Sequence, residues 1–550
     1  MDAPLPAAPA SAADAPPLDD PVGLEVFRNS LVGVAEEMGE VMMRAALSPM
    51  IKERNDRSCA VFTRDLQLVA QAEHLPIHLA LLVRTVPAAL AELREPLRPG
   101  DVSIHNDPYL GGSHLPDITS IAPIYDAADT ELLGYCAVIA HMADIGGSTP
   151  GGVGGLARDI IEEGVLIPPV RIVRGGRVVA EVLDLLMANV RLPEVLRGDL
   201  LAQIAAVRAG GHAVRDLAEA VTADRFHEMC RQILDYSGRR TRTAIENLPT
   251  GEAQFVDVVD DDGLGNGPLP VSVRIRIDGD GVEADFTGSA PQLAAPVNAS
   301  LAVTRSAVFY VVRCLIDASI PTTAACFDAV RVVAPEGSIV NATAPAPVGG
   351  GSLETAQRIV DAVMGAFAQL VPDLVTAAGM GSHNTIAIGG TSATTGRRFV
   401  LTENLSGGGG ARAGLDGVSV RRVNLMNTPN TPVEVLEREI PVRVVRCEMR
   451  DGSGGEGRTV GGLGLRKEYE FAQDCSVSIL ADRQVNAPWG LFGGGSAQGS
   501  SHELVRADGT RETLPSKVAL TVHAGDRLIA QTAGGGGYGP AAVTTEEETP

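Results

Sequence analysis

The stretch "VSVRIRIDGDGVEADFTGS", residues 271 to 289, alternates apolar and polar residues with a period of two on either side of "DGDG". Only an extended chain puts every second side chain on one face, and Asp-Gly steps supply the reversal. The segment is therefore predicted to fold as a β-hairpin with one buried face. A second hairpin is expected at "SCAVFTRDLQLVAQ", two β-rich runs around a turn at Asp65. Helical spacing is as plain elsewhere. Phe27, Leu31, Val34, Met38, Val41 and Ala45 recur at steps of four and three, which predicts an amphipathic helix over 22 to 46, stopped by Pro49. Residues 192 to 247 read as strongly helical. Further helices are predicted over 301 to 318 and over 353 to 371, the latter capped by Ser352 with Glu354 in its first turn. "YCAVIAHMAD" is apolar almost throughout, as a strand covered on both faces must be, and ends on His141 and Asp144.

Together these signals define a mixed α+β chain: a mixed N-terminal half, a central helical segment and a β-rich C-terminal region of short strands and Gly turns. The expected divisions are an Ala/Pro-rich disordered tail (1–21), an N-terminal region with the helical segment (22–250), a central α/β region (251–435), a β-rich region (436–539) and an acidic disordered tip (540–550). The 550 residues carry 45% apolar side chains, enough for a large core. A net charge of −23 lacks the basic stripe that nucleic acid requires and disfavours anionic lipid, so neither nucleic acid nor membrane is an expected partner. Lysine occurs only at positions 52, 467 and 517, and no Gly-Lys pair exists to build a Walker-type phosphate loop. Seven dispersed cysteines without CxxC pairs read as reduced thiols of a cytoplasmic protein.

The chemistry-bearing residues gather in two places. "NDPYLGGSHLPDITS", residues 106 to 120, sets His114 and Asp117 three apart across a proline, in a tight turn. "AVIAHMADIGG" sets His141 and Asp144 where a strand opens into a loop. Two imidazoles and a carboxylate, with one more carboxylate, suit Zn²⁺ or Mn²⁺. Spacing alone leaves the plainer reading open, in which Asp117 merely caps its turn. The cluster "IKERNDRSCAVF" equally reads as a solvated connector, and His74 and His78 of "QAEHLPIH" as core histidines. "GSGGEG" fits GxGxxG but precedes a strand-like run, so it fails as a dinucleotide loop. "SGGGGA" and "AGGGGYG" read as tight turns or close backbone approaches, with an anion cradle as the lesser reading.

Many separated motifs, in order, resemble the hydantoinase B/oxoprolinase family: "HNDPYLGGSHLPDITSIAPIY", "AHMADIGGSTPGG", "EEGVLIPPVRI", "ADFTGSAPQLAAPVNA", "NTPVEVLEREIPV", "DGSGGEGRTVGGLGL" and the terminal "GGGGYG". The resemblance implies a metal-containing B-type subunit of an ATP-dependent enzyme that opens cyclic amides such as hydantoins, 5-oxoproline or lactams. A hydantoinase A-type partner would bind ATP and magnesium and phosphorylate the carbonyl oxygen, and this subunit's metal site would deliver water. The resemblance also allows a ketone carboxylase subunit, acting on acetone or acetophenone, and a non-catalytic assembly subunit. It implies a hetero-oligomer and places the metal ligands on Asp56 of "KERND", His114, Asp117 and His141. Glu53 and Arg54 would orient Asp56. Asp144 and Asp107 are further candidates, next to the metal or as acid/base groups. Two departures stand out: Ser113 where threonine is more usual, and, in "APAPVGGGSLETAQRIVD", the stretch just before the helix, where many relatives carry an arginine and this chain does not.

Overall fold

The first sheet runs in the order β2-β1-β5-β4-β3-β6-β7, with every neighbouring pair antiparallel. Its strands are β1 (Arg57–Thr63), β2 (Leu68–Ala72), β3 (Val102–His105), β4 (Asp117–Tyr125), β5 (Leu132–His141), β6 (Val170–Arg174) and β7 (Arg177–Val178). In this computed structural model residues 20–72 and 74–541 are described, so most of both expected tails lies outside the described residues. Pro21, assigned to the tail, in fact opens a helix, because the Asp20 carboxylate accepts from Gly23 N at 2.8 Å and caps it.

The apolar run of β5 has the expected cause. Cys136, Val138 and Ala140 pack into one hydrophobic core with Cys59 and Val61 of β1. Ala137 and Ile139 pack into another with Ala60 and Phe62. Both faces are therefore covered. The first face lies under the helices Pro21–Ala45 and Pro193–Val221. These helices approach closely at Gly210, where a Cβ would meet Met38 Sδ at 2.3 Å. The expected stripe holds through Met38, and then Met42 and Ala46 are buried in place of Val41 and Ala45, the face continuing in steps of four. The helical stretch breaks once, at Thr222 (φ 76°), before a second helix, Ala223–Glu246.

The opposite face meets a second sheet, β8 (Gly251–Val259), β9 (Leu269–Asp278), β10 (Gly281–Asp285) and β11 (Val330–Val333), in the order β11-β10-β9-β8. The predicted hairpin is β9–β10, and Leu269, Val271, Val273, Ile275 and Ile277 form its buried face. Helices Leu301–Leu315 and Ala356–Phe367 share that core. The second of these departs from expectation. Gly351–Thr355 winds as a π-turn, Ser352 makes no cap, and Glu354 accepts instead from His383 N at 3.1 Å. The cause is crowding: a Cβ on Gly351 would lie 1.7 Å from Asn298 O, so the chain enters the helix pressed against a neighbouring backbone.

A third sheet, in the order β13-β12-β16-β19, joins β12 (Thr385–Thr391) and β13 (Arg398–Asn404) to β16 (Cys475–Leu480) and β19 (Lys517–Val522), so it draws strands from both sides of position 435. A fourth contains β14 (Val442–Arg450), β15 (Gly464–Phe471), β17 (Ser501–Val505), β18 (Arg511–Leu514) and β20 (Arg527–Gln531). The glycine runs sit beside these sheets and lie backbone against backbone. Gly535 N donates to Gly462 O, Gly462 N to Gly409 O and Gly409 N to Val418 O, and a Cβ on Gly535 would meet Gly409 O at 1.9 Å. Close approach is thus the correct reading of "SGGGGA" and "AGGGGYG". An anion cradle is not, since these N–H groups already hold carbonyls. Among the described residues no helix is long and apolar enough to cross a membrane.

Candidate metal centre

The turn "SHLPD" closes through Asp117 N to His114 O at 3.1 Å, and β4 begins at Asp117. His141 ends β5, and the antiparallel register pairs it directly with Asp117. Ile121 of β4 and Ala137 and Ile139 of β5 face the second sheet, so Asp117 and His141, in step with them, project into the layer between the sheets. Register also brings in Asp56: Arg57 pairs with Ala140, and His141 N donates to Asp56 O at 3.1 Å. Local chain geometry supplies one ligand pair, and sheet register supplies the rest.

His114 Nε2, Asp117 Oδ1 and His141 Nδ1 converge. Nε2 to Nδ1 is 3.2 Å, Nε2 to Oδ1 is 3.2 Å, and Nδ1 to Oδ1 is 3.1 Å. The residues are buried. A tetrahedral ion with bonds of about 2.0–2.1 Å sets its ligands about 3.3 Å apart, and an octahedral one with slightly longer bonds gives about 3.1 Å. The triangle therefore fits one face of either shell, and the nitrogen-and-carboxylate donor set suits Zn²⁺ or Mn²⁺. His114 Nδ1 faces Gly349 O at 3.4 Å, a contact that places the proton on Nδ1 and leaves Nε2 as the free donor. Asp117 Oδ2 accepts from Ser113 Oγ and lies 3.6 Å from His78 Nε2. Burial opposes charge on both His114 and Asp117, but their mutual attraction prevails: His114 is raised, and Asp117 is held well below the usual carboxylate range.

Three of the four expected ligands are thus brought together. The Asp56 carboxylate stands beside the triangle rather than within it: it is buried, its Oδ1 is unpartnered, and its charge acts on His114. Glu53 is exposed, while Arg54 is buried. Asp144 and Asp107 have structural partners. Asp144 holds Arg191 Nη1 at 3.1 Å and the backbone N–H groups of Gly151 and Arg191, tying the loop after β5 to the helical segment. Asp107 caps the short turn Pro108–Leu110, accepting from Tyr109 N at 2.9 Å.

His78, expected as a core histidine, is buried, yet it faces Asp117. Glu163 lies within "EEGVLIPPVRI" but is not among the expected site residues. It takes the N–H groups of Val348 and Gly349 at 3.0 and 2.8 Å, and burial pushes it up to about 7. The motifs are equally silent on a polar wall built from the third sheet. Arg54 Nη1 donates to Thr402 O at 2.7 Å, and Arg422 Nη2 donates to Asn404 O. Burial, then the charges of Arg422, Arg54 and His114, pull His383 down to about 3. A pattern of polar residues inside apolar runs is the only local signal for these groups.

Among the described residues, four sheets, two helical layers and a buried His-Asp-His triangle at a strand junction define an α+β protein built around a candidate divalent-metal centre. The chain belongs to the hydantoinase B/oxoprolinase family, whose model matches residues 20–541. It is 32% identical over 540 residues to a Pseudomonas protein named as the B-type component of a D-/L-hydantoinase, covering 94% of this chain and 90% of that one. It is 35% identical over 545 residues to 5-oxoprolinase 1 of Arabidopsis thaliana, covering 94% of this chain but only 42% of that protein. The solved ATP-dependent caprolactamase of Pseudomonas jessenii superposes with a TM-score of 0.89 at 26% identity, covering 96% of this chain and 93% of its own. A nucleotide-free acetone carboxylase chain shares the fold, with a TM-score of 0.88 at 16% identity over 95% of this chain and 76% of that one.

Proposed function

We propose that this chain is the metal-bearing B-type subunit of an ATP-dependent cyclic amide hydrolase, working with a hydantoinase A-type partner that uses ATP and magnesium. The observation that carries the reading is the triangle of His114, Asp117 and His141 in a family whose named members include hydantoinase and 5-oxoprolinase proteins. An amide carbonyl is a poor electrophile, because its nitrogen donates into it. Phosphorylating the oxygen on the partner yields an imidate-like carbon with phosphate as leaving group. A divalent ion, when bound, supplies Lewis acidity and eases deprotonation of water near neutral pH.

This chain's residues hold and orient. His114 presents Nε2 because Gly349 O takes its other nitrogen, and Asp117 presents Oδ1 because Ser113 and His78 engage Oδ2. Asp56, with one oxygen unpartnered, is placed to complete the ligand set or to accept a proton beside it. Burial keeps bulk water out, which strengthens each of these interactions.

The test combines the chain with its partner. Ring opening of hydantoin, 5-oxoproline or caprolactam should consume ATP. Elemental analysis should find one Zn or Mn per chain, lost in Asp117→Ala together with activity. Bicarbonate-dependent acetone consumption without ring opening would replace the hydrolase reading with the carboxylase one. Unchanged turnover in His114→Ala and His141→Ala would reduce the chain to an assembly role.

A further inference from the structure

Next to the triangle lies a group of buried donors for which the ligand shell has no use. Arg54 is fully buried, and its Nε and Nη2, the two atoms that form the bidentate edge of a guanidinium, have no partner. Arg422 is buried too, with Nε and Nη1 unpartnered. Neither guanidinium forms an ion pair among the described residues. Two carboxylates act on them: Asp56 stands beside the triangle, and Glu403 is held at 2.6 Å by Lys467 Nζ and at 2.6 Å by Tyr469 Oη. Asn384 contributes an amide with both atoms unpartnered, and His383 a free Nε2. These residues are neighbours: Leu405 N donates to His383 O at 2.9 Å, Thr385 pairs with Asn404, and Arg422 is anchored on Asn404 O.

Two unpaired buried cations beside a metal site cannot be a stabilising device, because removing a guanidinium from water costs several kcal/mol unless an anion receives it. The charges identify that anion. Two arginines and a divalent ion carry four positive charges, and Asp56 and Asp117 return two. The remainder is what a phosphate dianion cancels. We propose that Arg54 and Arg422, with Asn384, form a phosphoryl-binding subsite that seats the phosphate of an O-phosphorylated substrate against the metal centre. The proposal rests on the hydrolase reading for the origin of that phosphate, but the subsite itself rests on the unpartnered donors. Thr402 and Asn404, two residues apart on β13, fix the two guanidinium groups through their carbonyls, so the spacing between the forks is set by the strand.

The experiment is calorimetry on the full chain, chelator-stripped and Mn²⁺-loaded, with inorganic phosphate and with methyl phosphate at constant ionic strength. Saturable binding is expected in both forms and stronger in the loaded one. Arg54→Met and Arg422→Met should each weaken it about tenfold or more while elemental analysis shows retained metal. Tighter binding of methyl phosphate would indicate that the group arrives as a substrate ester, and tighter inorganic phosphate that it rests there as product. Should either variant fold poorly, the unmutated chain still decides: phosphate must raise its melting temperature above that in matched chloride. No phosphate binding by the unmutated chain, or equal binding by both variants, would overturn the subsite. Failure to hold metal would instead count against the hydrolase reading, since the stripped-chain titration judges the arginines separately.

Discussion

Replacing Glu354 by glutamine should leave stability unchanged in acid and raise it progressively as pH climbs above 4.5, with the full gain above about 8. Glu354 lies on the π-turn with no exposed surface; Oε1 accepts from His383 N at 3.1 Å, and Oε2 has no partner. Burial, reinforced by the charge of Asp482, pushes its carboxyl from 4.5 up to about 8. The fold therefore binds this proton more tightly than the unfolded chain does. Stability from that proton is complete below 4.5 and is lost as pH rises through about 8. At about 1.4 kcal/mol per tenfold change, the full loss is on the order of 5 kcal/mol. Unfolding entropy of about 2.1 cal/mol/K per residue gives a chain of this length about 1.2 kcal/mol/K, so the expected shift is on the order of 4 °C. Thermal melts of wild type and Glu354→Gln from pH 5 to 8.5 measure it. The variant should match wild type near pH 5 and melt a few degrees higher at pH 8.5. Glu163 and Asp361, both raised to about 7 by burial first, titrate in both proteins and cancel to first order in the difference, whereas Asp482, whose charge acts on Glu354, loses that repulsion in the variant and adds to the alkaline gain. A difference that stays constant across the pH range would refute the reasoning.

Other substitutions test the packing. Gly351→Ala drives a Cβ to 1.7 Å from Asn298 O and should cost more than about 3 kcal/mol, whereas Gly33→Ala meets nothing within 4 Å on a helix and should stabilise by up to about 1 kcal/mol; melting temperatures compare them. Arg483→Met removes one of the two cations that hold Asp257 and Asp361, 2.8 Å and 2.7 Å away, and leaves Arg358 at 3.5 Å and 3.1 Å. It should cost about 1.5–3 kcal/mol at neutral pH and less in acid, where Asp361, pushed up to about 7 by burial, is protonated, so denaturation midpoints should lie closer to wild type at pH 5 than at pH 7.5.

What could be read from the sequence follows the range of each interaction. The hairpin at 271 to 289, the helix after Asp20 and the doubly covered β5 are decided by neighbours two to four residues apart, and each forms as its periodicity predicts. The π-turn at Gly351–Thr355 does not announce itself, because its cause is Asn298, more than fifty residues away. The glycine runs behave in the same way: composition says that backbones come close, but the partners Gly409, Gly462 and Gly535 are scattered along the chain.

The site divides along that line. His114 and Asp117 share one turn, and His141 ends a recognisable strand, so all three stand out as polar residues at element boundaries. What brings them to one point is register: Asp117 opposite His141, and Asp56 bonded through its carbonyl to His141 N. The buried arginines belong to a third level. Arg54 looks like a solvated charge in "KERND" until β13, more than 300 residues later, supplies the carbonyl of Thr402 and encloses it. Its neighbour Glu53 is exposed. Two adjacent charged residues thus take opposite fates, and only a tertiary contact decides which one is buried. An exposed arginine at that position would simply meet water. A buried one with its bidentate edge unmet requires an anionic partner, and the carboxylate whose charge acts on it first, Asp56, stands beside the candidate metal triangle. On the proposed reading the two demands, for a cation at the triangle and for an anion beside it, are met together.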